Sequence, residues 1–119
     1  MRSKSLRRSE PNPFRGSWRI VSTDVWGPNE LDGLGPARIT FGKGGHGELN
    51  VIAISATVDH RIGMRDGSPI VEFSWEGDDD GSPVCGRGWA RRDPRGLVGR
   101  LFIHGGDEAE FVATRSKAK

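Results

Sequence analysis

The sequence predicts an all-β protein, a small eight-stranded antiparallel up-and-down barrel. Short runs in which apolar and polar residues alternate are separated by Gly-rich turns roughly every ten residues. No long segment has the i, i+3, i+4, i+7 apolar spacing of an amphipathic helix. Eight such runs indicate a sandwich or a barrel, and we favour the barrel because closure removes the unpaired edges of an open sheet.

The residue pattern in the first third of the chain predicts two strands and two connections. The first strand covers about 16–26, and the loop that follows contains one helical turn at 28–32. The second strand covers about 37–42. Gly42–Gly47 contains four glycines, which supply the positive φ angles of a hairpin turn.

The middle of the chain contains the clearest alternation. The run from Glu48 to Gly63 exceeds a typical strand of about 5–6 residues. We therefore divide it into strands at 48–54 and 56–62, although a bulge at 53–55 within one continuous strand fits the same residues. In the fifth strand, 69–76, Val71, Phe73 and Trp75 alternate with polar residues.

The last part of the chain predicts three more strands. A turn at 77–83 leads to a sixth strand at about 84–92, which has small residues on one face and large residues on the other. That distribution is typical of a tightly curved sheet. The seventh and eighth strands cover about 97–104 and 109–115.

Chain length and charge define one domain with basic ends. The 119 residues fit a single domain at 14–115, with a disordered basic arm at 1–13 and a loose tail at 116–119. The formal net charge is +2, but residues 9–114 contain 11 Lys and Arg against 16 Asp and Glu. The basic character therefore belongs to the ends, and nucleic acid is an unlikely partner on overall charge.

The cysteine count and the distribution of apolar residues also indicate the cellular compartment in which we expect the protein. Cys85 is the only cysteine, so no intramolecular disulfide can form and a reducing environment is expected. No apolar stretch reaches the ~20 residues of a membrane span, and the basic N-terminus is not followed by the apolar stretch of a secretory signal. We expect a cytoplasmic protein.

Five segments together resemble a group of short uncharacterised bacterial proteins across most of 14–115. That group has no established activity, so it implies no catalytic residues. The segments are 14–20, 73–77, 86–90, 99–107 and 111–113.

Gly16-x-Trp18 on the first strand, together with eight strands, resembles the lipocalin-like, or calycin-type, barrels. The resemblance implies that Trp18 closes one end of the barrel beneath a basic residue of the last strand, for which Arg115 is the candidate. The chain is shorter than typical lipocalins and lacks their disulfide and C-terminal helix. These departures argue against a large cavity, and eight strands enclose either packed side chains or one small ligand.

Residues of the types that serve in catalysis or metal binding are few and scattered along the chain. His46, His60 and His104 have no short ligand spacing, and Asp78–Asp80 lacks the loop pattern of a calcium site. Cys85 has Arg87 on the same strand face, but a lone strand cysteine is more often a small buried group. We assign no catalytic residue, no metal and no cofactor.

Three functions remain as hypotheses. The first is non-catalytic binding of a small apolar or amphipathic ligand by Trp18, His60, Trp75, Arg87, Trp89 and Arg115. The alternative is a filled barrel that serves as an interaction or scaffold protein through its surface or by self-association as a homodimer. An enzyme that uses His60 or His104 with a nearby carboxylate is the least favoured.

Overall fold

The computed structural model describes residues 12–116 as a closed antiparallel barrel of eight strands, which confirms the predicted fold class. Each strand pairs with its neighbours in sequence, and β8 closes the barrel on β1, where Trp18 lies opposite Arg115. A short helix, α1 (Pro28–Leu31), and a 3₁₀ turn at Lys43–Gly45 interrupt the meander. The strands are β1 (Gly16–Thr23), β2 (Arg38–Phe41), β3 (His46–Val51), β4 (Ile54–Arg65), β5 (Ser68–Asp79), β6 (Ser82–Asp93), β7 (Gly96–Ile103) and β8 (Glu108–Arg115).

The predicted division of the third and fourth strands is confirmed, and so is the helical turn near 28–32. The first strand was predicted to run to 26 but ends at Thr23. The Thr23 hydroxyl oxygen accepts the backbone N–H of Trp26 at 2.8 Å, which turns the chain. The predicted basic arm lies outside the described residues except for Asn12 and Pro13, as does the predicted tail except for Ser116.

The three central strands are longer than predicted. β4, β5 and β6 each contain 12 residues. The prediction of a turn over 77–83 was wrong, because Asp80 and Gly81 alone connect β5 to β6, with φ angles of 51° and 96°. Left-handed φ angles at both turn residues match the twist of the flanking strands.

Side chains fill the barrel interior. The inward face of β6 is small at Gly86 and Gly88, where the rings of Trp75 and Phe73 on β5 lie. A Cβ at Gly86 would lie 2.5 Å from Trp75 Cζ2. The largest fully buried side chains include Trp18, Phe41, Ile39, Leu49 and Ile54.

Both ends of the barrel are covered by segments of the chain. At one end, Phe14 is fully buried and its carbonyl oxygen accepts the indole N–H of Trp18 at 2.9 Å. At the other, Leu31 of α1 is buried and accepts the N–H of Ile52 at 2.9 Å. The chain itself therefore covers both ends of the barrel.

Candidate binding site

The structure does not bring the six predicted ligand residues together. Trp18, His60 and Trp75 are buried, with 1%, 8% and 2% of their surface exposed. Arg115 lies over the closed end of the barrel beside Trp18. Arg87 and Trp89 are on the outward face of β6, because Gly86, Gly88 and Ala90 alternate with them and point inward.

The Trp18 end of the barrel is held by two arginines. The Arg115 guanidinium lies 3.9 Å from the centroid of the Trp18 ring, as the calycin resemblance implied, and Arg92 lies 5.2 Å from it. Arg115 donates to the carbonyl oxygen of Arg15, and Arg92 donates to that of Pro13 at 3.0 Å. Burial, with the nearby charge of Arg92, lowers the pKa of Arg115. These guanidinium groups therefore bind the chain's own N-terminal segment.

His60 is the buried histidine, and its ring is held by the backbone and by an aromatic neighbour. The Nε2 of His60 is 3.0 Å from the carbonyl oxygen of His46, and its ring packs edge-on against Phe41. Across residues 12–116, no histidine is hydrogen-bonded to a carboxylate, and no group of three or more His, Cys, Asp or Glu is placed to hold a metal ion. The expectation that Cys85 is buried was wrong: it is exposed because it points outward, one residue from Gly86.

A cleft of about 790 Å³ lies on the outer face of the barrel, chiefly against β4, β5 and β6. Two cross-strand rows form its floor: Trp89 is opposite Glu72, and Arg87 is opposite Ser74 and Phe102. Its lining residues are Asp59, His60, Arg61, Arg65, Glu72, Phe73, Ser74, Arg87, Gly88, Trp89 and Phe102.

Two half-buried aromatic rings and two guanidinium groups are paired in this cleft. Arg65 lies 4.7 Å from the centroid of the Trp89 ring, and Arg87 lies 5.2 Å from that of Phe102. A guanidinium within about 6 Å of a ring centroid is attracted by the negative face of the ring. These pairs hold charged groups next to flat apolar surfaces, the combination that binds a flat anion.

The charge of the cleft is only partly neutralised. Arg61, Arg65 and Arg87 are exposed, and none forms an ion pair within the described part of the chain. Asp59 and Glu72 lie in the same cleft. The three guanidinium groups outnumber the two carboxylates, so the cleft favours an anion.

Sequence reasoning missed Arg61, Arg65 and Phe102 in this cleft. The alternation on β6 already placed Arg87 and Trp89 on one face, opposite the small residues. The missing information was which residues of β4 and β7 lie beside them. That depends on strand register and on how far β4 extends.

Comparison with known proteins does not identify the chain, since no family model, curated protein or solved structure matches it. Among the described residues, no helix combines the length and the apolar character needed to cross a membrane.

Proposed function

We propose that this protein is a non-catalytic binding protein that takes a small amphipathic anion in the outer cleft of its barrel. The observation that carries the proposal is the pairing of Trp89 with Arg65, and of Phe102 with Arg87, on one exposed face. A flat apolar body would pack on the rings while the anionic group binds the guanidiniums. The cleft volume of about 790 Å³ falls within the range of small-molecule sites.

The filled interior favours the outer face over the inside of the barrel as the binding site. Trp75 and Phe73 occupy the space above Gly86 and Gly88, and Phe14 covers the Trp18 end. A ligand inside would have to displace these side chains. The lipocalin-like relationship itself remains our proposal, supported by Gly16, Trp18 and the position of Arg115.

Anilinonaphthalene sulfonate, a flat aromatic anion whose fluorescence rises in apolar surroundings, tests this proposal. We expect saturable binding to the folded protein, weakened about tenfold by Trp89→Ala, which corresponds to about 1.4 kcal/mol. Arg87→Gln should weaken it about threefold to tenfold, because a hydrogen bond typically contributes about 0.5–1.5 kcal/mol net and Arg87 is exposed to solvent. Arg38→Gln is the matched control, because Arg38 is exposed on β2, outside the cleft.

The urea midpoint of each variant separates loss of the site from loss of the fold. Equal affinity of the wild-type protein and Trp89→Ala for the dye, with the fold of both retained, would overturn the proposal.

A further inference from the structure

We propose that the outer cleft is one part of a longer groove that binds single-stranded nucleic acid. This inference rests on the binding role proposed above and names the class of its ligand. It is carried by a second cleft, by the distribution of arginines and by the half-buried rings of Trp89 and Phe102.

A second cleft of about 350 Å³ adjoins the first, and Trp89 lines both. It crosses β6, β7 and β8, where Arg91, Arg95 and Arg100 contribute to its lining. The two clefts together reach from β4 to β8. Four strand spacings of about 4.8 Å give a path of about 19 Å, which suits an extended chain of phosphates better than one small molecule.

Cations are concentrated along this path. Six of the 11 Lys and Arg residues between positions 9 and 114 line the two clefts, against four of the 16 Asp and Glu residues. The overall charge predicted that nucleic acid is an unlikely partner. We depart from that prediction because net charge does not report how charge is distributed over the surface.

Two of the six arginines are already engaged by carboxylates. Arg100 binds both Glu108 and Glu110. Arg95 donates to Asp93, and these hydrogen bonds hold the pKa of Asp93 below its usual value. The other four form no ion pair within residues 12–116 and remain available for phosphates: Arg61, Arg65, Arg87 and Arg91.

The rings of Trp89 and Phe102 supply what a purely basic surface lacks. Bases of a single strand stack on aromatic side chains in a largely sequence-independent way. Arg65 and Arg87 lie over these rings. A base that stacks on either ring would therefore displace the guanidinium toward the phosphate of the same nucleotide. A duplex keeps its bases stacked inside, and the groove therefore favours the single strand.

The test is isothermal titration calorimetry of an unlabelled oligothymidine of 12 nucleotides with the 119-residue protein. We expect saturable binding that a duplex of equal length reproduces only weakly. Four phosphate contacts predict a slope of about −3 in log K against log salt concentration. Arg91→Gln should make this slope shallower by about 0.7, and Trp89→Ala should weaken binding about tenfold or more. Arg38→Gln should change neither.

The dye and the oligonucleotide together distinguish the two proposals. Displacement of anilinonaphthalene sulfonate by the oligonucleotide supports both. Dye binding that depends on Trp89, without oligonucleotide binding, overturns the nucleic-acid inference and leaves the proposed function standing. If neither ligand binds, both fail. Oligonucleotide binding that survives Trp89→Ala and Arg91→Gln assigns it to other basic residues and also overturns the inference.

Discussion

At the scale of single residues, the strand alternation decides which aromatic residue packs in the core and which one lies in the outer cleft. Trp75 points into the barrel over Gly86, whereas Trp89 is half-buried on the outer face beside Arg65. The two tryptophans lie on neighbouring strands, but their side chains are on opposite faces of the sheet. The sequence predicts which residues of β6 share a face. The structure shows that the face with Gly86 and Gly88 points into the barrel, because the rings of Trp75 and Phe73 lie against these glycines.

Replacing Gly88 by alanine should destabilise the barrel. The added Cβ would lie 2.5 Å from Phe73 Cζ and 2.5 Å from the Arg100 carbonyl oxygen. Overpacking of this kind costs roughly 1–3 kcal/mol, measurable as a lower urea midpoint. Adding Phe73→Leu to Gly88→Ala should recover part of the loss, since it removes one of the two contacts. A strictly additive double variant would contradict this account of the packing.

At the scale of elements, two-residue turns make the central strands long. Asp66 and Gly67 connect β4 to β5 in the same way that Asp80 and Gly81 connect β5 to β6, with positive φ at every position. The sequence predicted a broad turn over 77–83 because Gly, Asp and Pro cluster there. Asp79 nevertheless pairs with Ile54 and Ser82, since ladder formation outweighs the weak strand preference of aspartate.

Gly81→Ala should destabilise the hairpin through its backbone alone. Gly81 has a φ of 96°, and no atom lies within 4 Å of the position a Cβ would occupy. The penalty of a left-handed conformation for alanine is about 1–2 kcal/mol. Gly81→Asn should cost less, because asparagine tolerates positive φ better. Thermal unfolding monitored by circular dichroism measures both, and equal losses would show that the backbone angle is not the cause.

At the scale of the whole molecule, the sequence predicts the barrel but not the outer cleft that we propose as its binding face. Alternation and turn residues are local signals, so the eight strands, and which residues share a face of each strand, can be predicted from the chain. The cleft joins Arg61 and Arg65 of β4 to Trp89 of β6 and Phe102 of β7. These neighbours depend on register and on barrel curvature, which no local pattern encodes. The proposed ligand site is therefore a composite surface, and the net charge of the chain does not report the local charge of such a surface.

At the closed end of the barrel, Arg115 packs on Trp18 and is not a lining residue of the proposed cleft. A variant of Arg115 therefore separates an effect on stability from an effect on binding. Arg115 lies over Trp18 and donates to the Arg15 carbonyl oxygen, so Arg115→Gln removes a cation–π contact and weakens the hold on residues 12–15. We expect a loss of about 1–2 kcal/mol in unfolding free energy. Hydrogen exchange at the Trp18 indole N–H, which Phe14 accepts, should become faster. Binding of anilinonaphthalene sulfonate should not change, because Arg115 is not among the residues that line the cleft. Weaker dye binding by this variant, with no change at Trp89→Ala, would instead place the ligand inside the barrel, beneath Trp18.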